Sequence, residues 1–478
     1  MADSLSVGDL VNLEIHDFAM GGEAVGRVGN FVLFIPGGAP GDEAEVRITE
    51  LKKNYGRARI NRLTKSSPRR VHPRCPIYNE CGGCHLQHID YDLQLQLKTK
   101  MVADALQHIA GLSGVKVRPC KRMKNPWNYR SKAQVVVGAK PYLKREKDGI
   151  DENEPKLYFP YIGYYAKGTH SIVRADSCAI QHSTNNSLLS AAREALERLQ
   201  WPIYNNESGE GAIRYLVART GVYTNQSLLV IVSTQPTLPH VPEFVELVRK
   251  RVPSLSGIVL NLNPHRTNVI LSNRNSVLWG KDHIIEDVGG LKFNISANSF
   301  FQVNISGLEA IYSCLDEFLK PQSRDIVLDA YCGVGSLALY MARKVKKVIG
   351  IDECQAAIED AVVNSDLNGL VNTDFIDGTV ERVLPNLSSK GSIFSRGTHF
   401  SSAILDPPRK GCDPIVLNTI ANMRIPKLVY VSCNPSTLAR DLGILTEKGY
   451  KVMEVQPIDM FPQTYHVETV VKLTRAGL

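Results

Sequence analysis

Ile326-Val327-Leu328-Asp329-Ala330-Tyr331-Cys332-Gly333-Val334-Gly335-Ser336 is an apolar run that ends in an acid, passes through a glycine turn and opens onto Leu337-Ala338-Leu339. The run reads as a strand and the segment after the glycines as a helix. Glycines at such a turn let the backbone approach a ligand closely, with a helix N-terminus beside it. The same alternation of strand, turn and helix recurs in KKVIGIDECQAAIEDAVVN, SSAILDPPRKG and KLVYVSCNPSTLARDL. Strands that are apolar throughout and alternate with helices imply a parallel sheet covered on both faces. Residues 282–478 are therefore expected to form a doubly wound, Rossmann-like α/β domain.

Upstream the pattern changes. Residues 1–63 fall into the short β-prone runs LVNLEI, EAVGRV, FVLFIP, EAEVRIT and GRARINRL, separated by signals such as Met20-Gly21-Gly22 and Pro36-Gly37-Gly38. Five short strands at that spacing suggest a small OB-like β-barrel. Residues 64–281 begin with a Pro-, Arg- and Cys-rich loop and continue into YDLQLQLKTKMVADALQHIAG, an amphipathic helix pattern. Strand-like stretches (AQVVVG, SLLVIVS, GIVLNLN) then mix with helical ones, which reads as an α+β middle domain. A charged stretch at 144–154 and a Ser-, Gly- and Lys-rich one at 388–401 are expected to be surface loops.

A chain of 478 residues, 43% apolar and 22% charged, is long enough for several packed domains and is not of disordered composition. The start, MADSLSVGDLVNLEI, lacks a basic segment followed by an apolar one, and no later run approaches a bilayer span. A cytoplasmic monomer with no membrane partner is expected. The ten cysteines then point to metal binding or catalysis rather than disulfides, because the cytosol keeps thiols reduced. Between Lys52 and Arg74 stand Lys52, Lys53, Arg57, Arg59, Arg62, Lys65, Arg69, Arg70 and Arg74, with no Asp or Glu among them. Such a block suits RNA, since each phosphate it neutralises releases counterions; a solvated strand face is the plainer alternative.

The C-terminal strand ends of an open parallel sheet face one crevice. Asp352, about 20 residues past the glycine loop, lies where such folds place a carboxylate on a ribose diol. That alone suggests a dinucleotide, but the lead-in D-x-x-C-G-x-G suits S-adenosylmethionine, which has no phosphate to cradle. Two more strands end in Asp406-Pro407-Pro408-Arg409 and Ser432-Cys433-Asn434-Pro435, so Asp406 and Cys433 should border the same pocket. Cys433 is a nucleophile or an inert core thiol, and Asp406 a catalytic carboxylate or a helix cap. His466 and Glu468 are both candidate bases, a carboxyl entering an apolar strand being one whose pKa burial raises. Cys75, Cys81 and Cys84 share one loop, and Cys178 could add a fourth thiolate; zinc and an iron-sulfur cluster fit that set equally.

Together these motifs resemble those of the RNA uracil-5-methyltransferases, the ribosomal-RNA type in particular. The likeness rests on V-G-D-L-V-N-L-E-I with G-G-E-A-V-G-R, similar to the TRAM module, on C-x5-C-G-G-C-x-x-Q at 75–87, and on Ser299-Phe300-Phe301-Gln302-Val303-Asn304. It continues through Asp329-x-x-Cys332-Gly333-x-Gly335, the Asp406 and Cys433 turns, and His466-Val467-Glu468. The resemblance implies methyl transfer from S-adenosylmethionine to carbon 5 of a uridine, in 23S ribosomal RNA first and transfer RNA second. It implies Cys433 as nucleophile, Glu468 as base, Gln302, Tyr331, Asp352 and Asp406 around the donor, and a [4Fe-4S] cluster on Cys75, Cys81, Cys84 and Cys178. Radical enzymes that use the same donor carry C-x3-C-x2-C, which is not the spacing here. Other readings are methylation of an exocyclic amine, held by the D-P-P-R turn with Cys433 incidental, and a non-catalytic RNA-binding protein.

Overall fold

The computed structural model describes residues 5–141, 158–267, 269–388 and 399–477. The charged stretch at 144–154 and positions 389–398 of the second expected loop lie outside the described residues.

Five strands form the N-terminal barrel: β1 (Leu10–Phe18), β2 (Ala24–Val28), β3 (Phe31–Ile35), β4 (Glu43–Leu51) and β5 (Tyr55–Lys65). They close in the order β1-β2-β3-β5-β4, with β4 returning to pair with β1. Leu13, Ile15, Leu33, Ile35, Val46 and Ala58 alternate inward along their strands. The barrel does not close its core alone. Leu86, Ile89, Leu93 and Leu97 complete it from the loop that comes next and from helix α1 (Tyr91–Ala110). Asp90 caps α1 by accepting from the Leu93 N–H, and Gly111, at φ 68°, ends it. The opposite face of α1, with Leu95, Val102, Ala105 and Leu106, packs into the C-terminal domain. One helix therefore joins the two.

The middle domain holds β6 (Lys132–Pro141), β7 (Tyr158–Tyr165), β8 (Ile172–Arg174), α2 (Ser183–Leu199), β9 (Ile213–Thr220), β10 (Ser227–Ser233), α3 (Val241–Arg251), β11 (Leu255–Leu262) and β12 (Asn275–Gly280). Its sheet runs β12-β11-β10-β9-β6-β7-β8, antiparallel except between β10 and β11. Alternate residues of β10 face opposite ways. Leu229 and Ile231 pack under α2 and α3, whereas Leu228, Val230 and Val232 share a core with the C-terminal domain.

A hairpin, β13 (His283–Val288) and β14 (Leu291–Ser296), and α4 (Ile305–Leu319) lead into the last domain. Its elements are β15 (Ile326–Ala330), α5 (Ser336–Ala342), β16 (Lys347–Asp352), α6 (Gln355–Leu367), β17 (Thr373–Asp377), α7 (Val380–Ser388), β18 (Ser402–Leu405), α8 (Pro414–Asn422), β19 (Lys427–Ser432), α9 (Pro435–Glu447), β20 (Tyr450–Ile458) and β21 (Glu468–Arg475). The sheet order is β17-β16-β15-β18-β19-β21-β20. Strands β15 to β19 are parallel, as their apolar runs imply, and β21 enters antiparallel to β19. That insertion brings the start of β21 to the end of the sheet where the other strands finish. Among the described residues no helix is long and apolar enough to cross a membrane.

Candidate active site

The glycine loop turns because three of its residues take left-handed backbone angles: Tyr331 at φ 69°, Gly333 at φ 53° and Gly335 at φ 82°. A Cβ built on Gly333 would meet nothing within 4 Å, so the backbone there is open to a ligand. Gly335 instead faces Ala361, Leu339 and Phe375 at 3.3 Å, and serves packing. Tyr331 leans its ring on the apolar core that holds Cys412.

Asp352 ends β16 with both carboxylate oxygens engaged, one accepting from the Gly333 N–H and the other from the Cys354 N–H, each at 2.9 Å. Asp329 ends fully buried with neither oxygen accepting a hydrogen bond. Its carboxyl is held well above the usual range by burial first, then by the Asp406 and Asp352 carboxylates. Asp406, after β18, is pushed up to about 7 by burial and by Asp352. Three acids converge here, and neither buried oxygen of Asp329 accepts a hydrogen bond. S-adenosylmethionine carries an ammonium and a sulfonium, so a donor of that charge answers both the orphaned carboxylate and the mutual repulsion.

Cys433 comes directly after β19 and precedes α9, whose cap Asn434 accepts from the Ser436 N–H at 3.1 Å. The Asn434 amide donates to the Arg409 carbonyl at 3.1 Å, so the two strand-end turns are tied together. In the antiparallel pair β19–β21, Ser432 is opposite Thr469. The next positions outward are Cys433 and Glu468, at the open end of the ladder and within electrostatic reach of one another. Glu468 is almost completely buried and its carboxyl lies well above the usual range, through burial and then Asp406, with the Arg409 cation opposing. The half-buried Cys433 thiol is pushed up to about 11 by burial, Glu468 and Asp406, again against Arg409.

His466 stands beside the site, not in its centre. Its ring lies 4.2 Å from Tyr465, 6.0 Å from Phe461 and 6.3 Å from His85, centroid to centroid. Burial pulls it down to about 4, so it is neutral and weakly basic near pH 7. The barrel reaches this wall too: Ser436 Oγ donates to Met20 Sδ at 3.5 Å, and a Cβ on Gly22 would fall 2.8 Å from the Tyr465 ring.

Gln302, nine-tenths buried, comes from a separate loop between β14 and α4. Its flanks are anchored by the Arg219 guanidinium on the Ser299 carbonyl, the Ser131 N–H on the Val303 carbonyl at 2.8 Å, and the Asn304 amide on the Met460 carbonyl at 3.0 Å.

The four expected cysteines of the middle region converge. Cys75, Cys84 and Cys178 pack with Tyr78, Trp127, Tyr129 and Ile180. Burial, then Cys178, Cys81 and Cys75 together with it, push the Cys84 thiol up to about 12. The Gly83 N–H donates to Cys81 Sγ at 3.4 Å, and the Gly82 N–H to the Tyr165 carbonyl at 3.0 Å, which fastens the loop to β7. Among the described residues, no group of three or more His, Cys, Asp and Glu side chains is arranged to hold a single metal ion.

Comparison with known proteins agrees with this geometry. Residues 268–476 match the tRNA (Uracil-5-)-methyltransferase family and residues 5–60 the TRAM domain. A Bacillus cereus protein described as an uncharacterized RNA methyltransferase is 41% identical over 475 residues, 99% of this chain and 98% of that one. A counterpart from Halalkalibacterium halodurans is 40% identical over 97% of each chain. The chain belongs to the RNA uracil-5-methyltransferase family. Among solved structures, the Pyrococcus abyssi tRNA (uracil-54, C5)-methyltransferase in complex with S-adenosyl-L-homocysteine superposes with a TM-score of 0.73 at 28% identity, over 97% of this chain and 99% of that one. The protein is an S-adenosylmethionine-dependent RNA methyltransferase with an N-terminal TRAM barrel.

Within this methyltransferase, Asp352, Asp406 and Cys433 stand at one end of the sheet, as expected of strand ends in a parallel sheet, and Glu468 reaches the same end from the start of antiparallel β21. Two further residues of the site carry no role in the sequence reading, although both stand inside its motifs. Asp329 is the acid that leads the glycine loop, and Arg409 closes the D-P-P-R turn.

Proposed function

We propose that the enzyme methylates carbon 5 of a uridine in 23S ribosomal RNA through a covalent adduct on Cys433. The observation that carries this reading is the pairing of a thiol and a buried carboxylic acid across the end of one β-ladder, beside the donor loop.

Carbon 5 of uracil is too weak a nucleophile to take a methyl group from a sulfonium unaided. Addition of the Cys433 thiolate to carbon 6 converts the ring to an enolate whose carbon 5 is electron-rich. S-adenosylmethionine would be held by the Gly333 loop, Asp329, Asp352 and Gln302 and would supply the methyl group that carbon 5 receives, its sulfonium leaving as the neutral thioether S-adenosylhomocysteine. Glu468 removes the remaining hydrogen from carbon 5, the C6–S bond breaks, and its electron pair returns to Cys433. The raised affinity of Glu468 for a proton suits it to that step better than His466, which burial makes a poorer base. The Arg409 cation offsets the two carboxylates that oppose the thiolate. Asp406, whose carboxyl is pushed up to about 7 by burial and by Asp352, can give or take a hydrogen bond at the uracil edge. The base must leave any stack to reach Cys433, which favours a loop or an opened pair.

A four-iron cluster is the group that Cys75, Cys81, Cys84 and Cys178 would hold. Its cationic iron would relieve four crowded thiols, and its role would be to fasten the loop after the barrel to the middle domain. The enzyme would act as a cytoplasmic monomer. Transfer RNA is the second substrate reading, favoured by the end-to-end likeness to a transfer-RNA enzyme. Tritium transfer from labelled donor to 23S and transfer-RNA transcripts separates the two: label in 23S RNA with 5-methyluridine as product supports the first, and label confined to transfer RNA replaces it with the second.

A further inference from the structure

Glu468 is delivered by an unusual connection. Strands β20 and β21 are antiparallel neighbours, yet nine residues, 459–467, join them where a hairpin of two to five would serve. Such a loop must be held from outside if the residue at its end is to keep a fixed place. The midpoint of the connection is Gln463, which is 2% exposed and held in the left-handed region at φ 69°, a conformation that costs a non-glycine residue energy unless its surroundings impose it.

The surroundings are the face of α1. Gln94, 1% exposed, and Gln463 form a reciprocal pair: the Gln463 N–H donates to Gln94 Oε1 and the Gln94 amide donates to Gln463 Oε1, each at 3.1 Å. The Gln463 carbonyl accepts from the His85 and Leu86 N–H groups at 2.9 and 3.0 Å. One turn along α1, the Lys98 ammonium bonds the Asp459 carboxylate and, at 3.1 Å, the Phe461 carbonyl. From the middle domain, Tyr129 Oη donates to the Pro462 carbonyl at 3.1 Å. None of these groups belongs to the donor loop or to the Cys433 turn.

We infer that the Gln94–Gln463 pair positions Glu468, so that α1 sets the geometry of carbon-5 deprotonation without touching the substrate. This rests on the proposed roles of Cys433 and Glu468. The Gln94 amide also donates to the Leu86 and Ile89 carbonyls at 3.0 and 3.1 Å, ahead of α1. Because none of these bonds reaches the donor loop or the Cys433 turn, losing the pair should leave addition to carbon 6 and methyl transfer nearly intact and slow the last step.

The test uses the full-length protein and whichever of the 23S and transfer-RNA transcripts it methylates. Gln94→Met deletes the pair from α1. Gln463→Gly removes the side-chain half of the pair, the bond from the Gln94 amide to Gln463 Oε1, keeps the backbone N–H that donates to Gln94 Oε1, and suits φ 69°, and so keeps the test open if the first variant fails to fold. Transcripts with 5-fluorouridine report every step before deprotonation, as denaturation-resistant adduct; transcripts with [5-³H]uridine report deprotonation itself, as tritium released to water. Both variants should form the fluorouridine adduct within about twofold of wild type, release tritium roughly ten- to a hundredfold more slowly, and accumulate methylated RNA bound to protein. Tritium release at the wild-type rate, or equal losses in both assays, overturns the inference. A wild-type protein that forms no fluorouridine adduct overturns the functional reading beneath it.

Discussion

Cys433 and Glu468 are the positions immediately beyond the last rung of the β19–β21 ladder, where Ser432 opposes Thr469, and lie close enough that the Glu468 carboxylate raises the Cys433 thiol. The two come from turns 35 positions apart in the chain, and the antiparallel entry of β21 into an otherwise parallel run makes them neighbours. A thiol that must become an anion therefore sits against a carboxyl that must accept a proton, and the charge of each affects the other.

That coupling has a pH signature. Addition needs the Cys433 thiolate, and the thiol is pushed up to about 11. Below that value the reactive fraction rises with pH, so the rate of adduct formation on fluorouridine RNA should climb between roughly pH 6.5 and 8.5, by less than about tenfold per unit where Asp406 ionises and opposes the thiolate. Arg409→Met removes the cation that favours the thiolate and should slow addition across the range. Glu468→Gln removes a carboxylate that disfavours it and should shift the profile to lower pH. A flat profile, or shifts of the opposite sign, would contradict these electrostatics.

The Lys98–Asp459 pair is fully buried on both sides. Removing one partner strands a charge in the core, so Lys98→Met should cost about 3–5 kcal/mol. Lys100, two residues on, pairs with Asp104 and Asp17 at the surface, and Lys100→Met should cost less than about 1 kcal/mol. Thermal melts of the two variants check the contrast; equal midpoints would mean the buried pair does not anchor the loop before β21.

The basic block between Lys52 and Arg74 should bind RNA through fewer of its cations than the sequence suggests. Arg70 pairs with the buried Asp42, Arg69 with Asp90, Arg57 with Glu23 and Lys65 with Glu43. Among the described residues, Arg59 and Arg62 are exposed with no carboxylate at ion-pair distance. Arg59→Ala and Arg62→Ala should each weaken RNA binding and lower its salt slope by about one. Arg70→Ala should lower the melting temperature instead. Unchanged salt slopes in the first two would move the phosphate contacts off β5.

Protein purified without oxygen should be brown and contain iron and sulfide, and Cys81→Ser should bleach it, because Cys75, Cys84 and Cys178 share one apolar cluster and Cys81 is close enough to raise the Cys84 and Cys178 thiols. Stoichiometric zinc without iron would contradict the cluster.

Much of the fold and site is legible in the sequence because the signals are local. The apolar runs at Ile326, Val348 and Val429 mark parallel strands by composition, and glycine or proline marks where each ends, so Asp352, Asp406 and Cys433 can be placed at one crevice without coordinates. Which residue stands opposite Cys433 depends on the register and direction of β21, and no local pattern carries that. The pairing of Arg70 with Asp42 or of Gln94 with Gln463 likewise joins elements far apart in the chain. Asp329 and Arg409 stand in recognisable motifs, but an orphaned carboxylate and a cation shared by a thiol and a carboxyl become visible only once the elements are packed.

The central claim is the division of labour between Cys433 and Glu468, and the most direct measurement is a denaturing gel of each variant with ordinary, unfluorinated RNA and labelled donor. Glu468→Gln should carry out addition and methyl transfer and then stall, so that methylated RNA migrates with the protein. Cys433→Ala should show neither adduct nor product. Free 5-methyluridine from Cys433→Ala, or wild-type turnover without adduct from Glu468→Gln, would contradict the account.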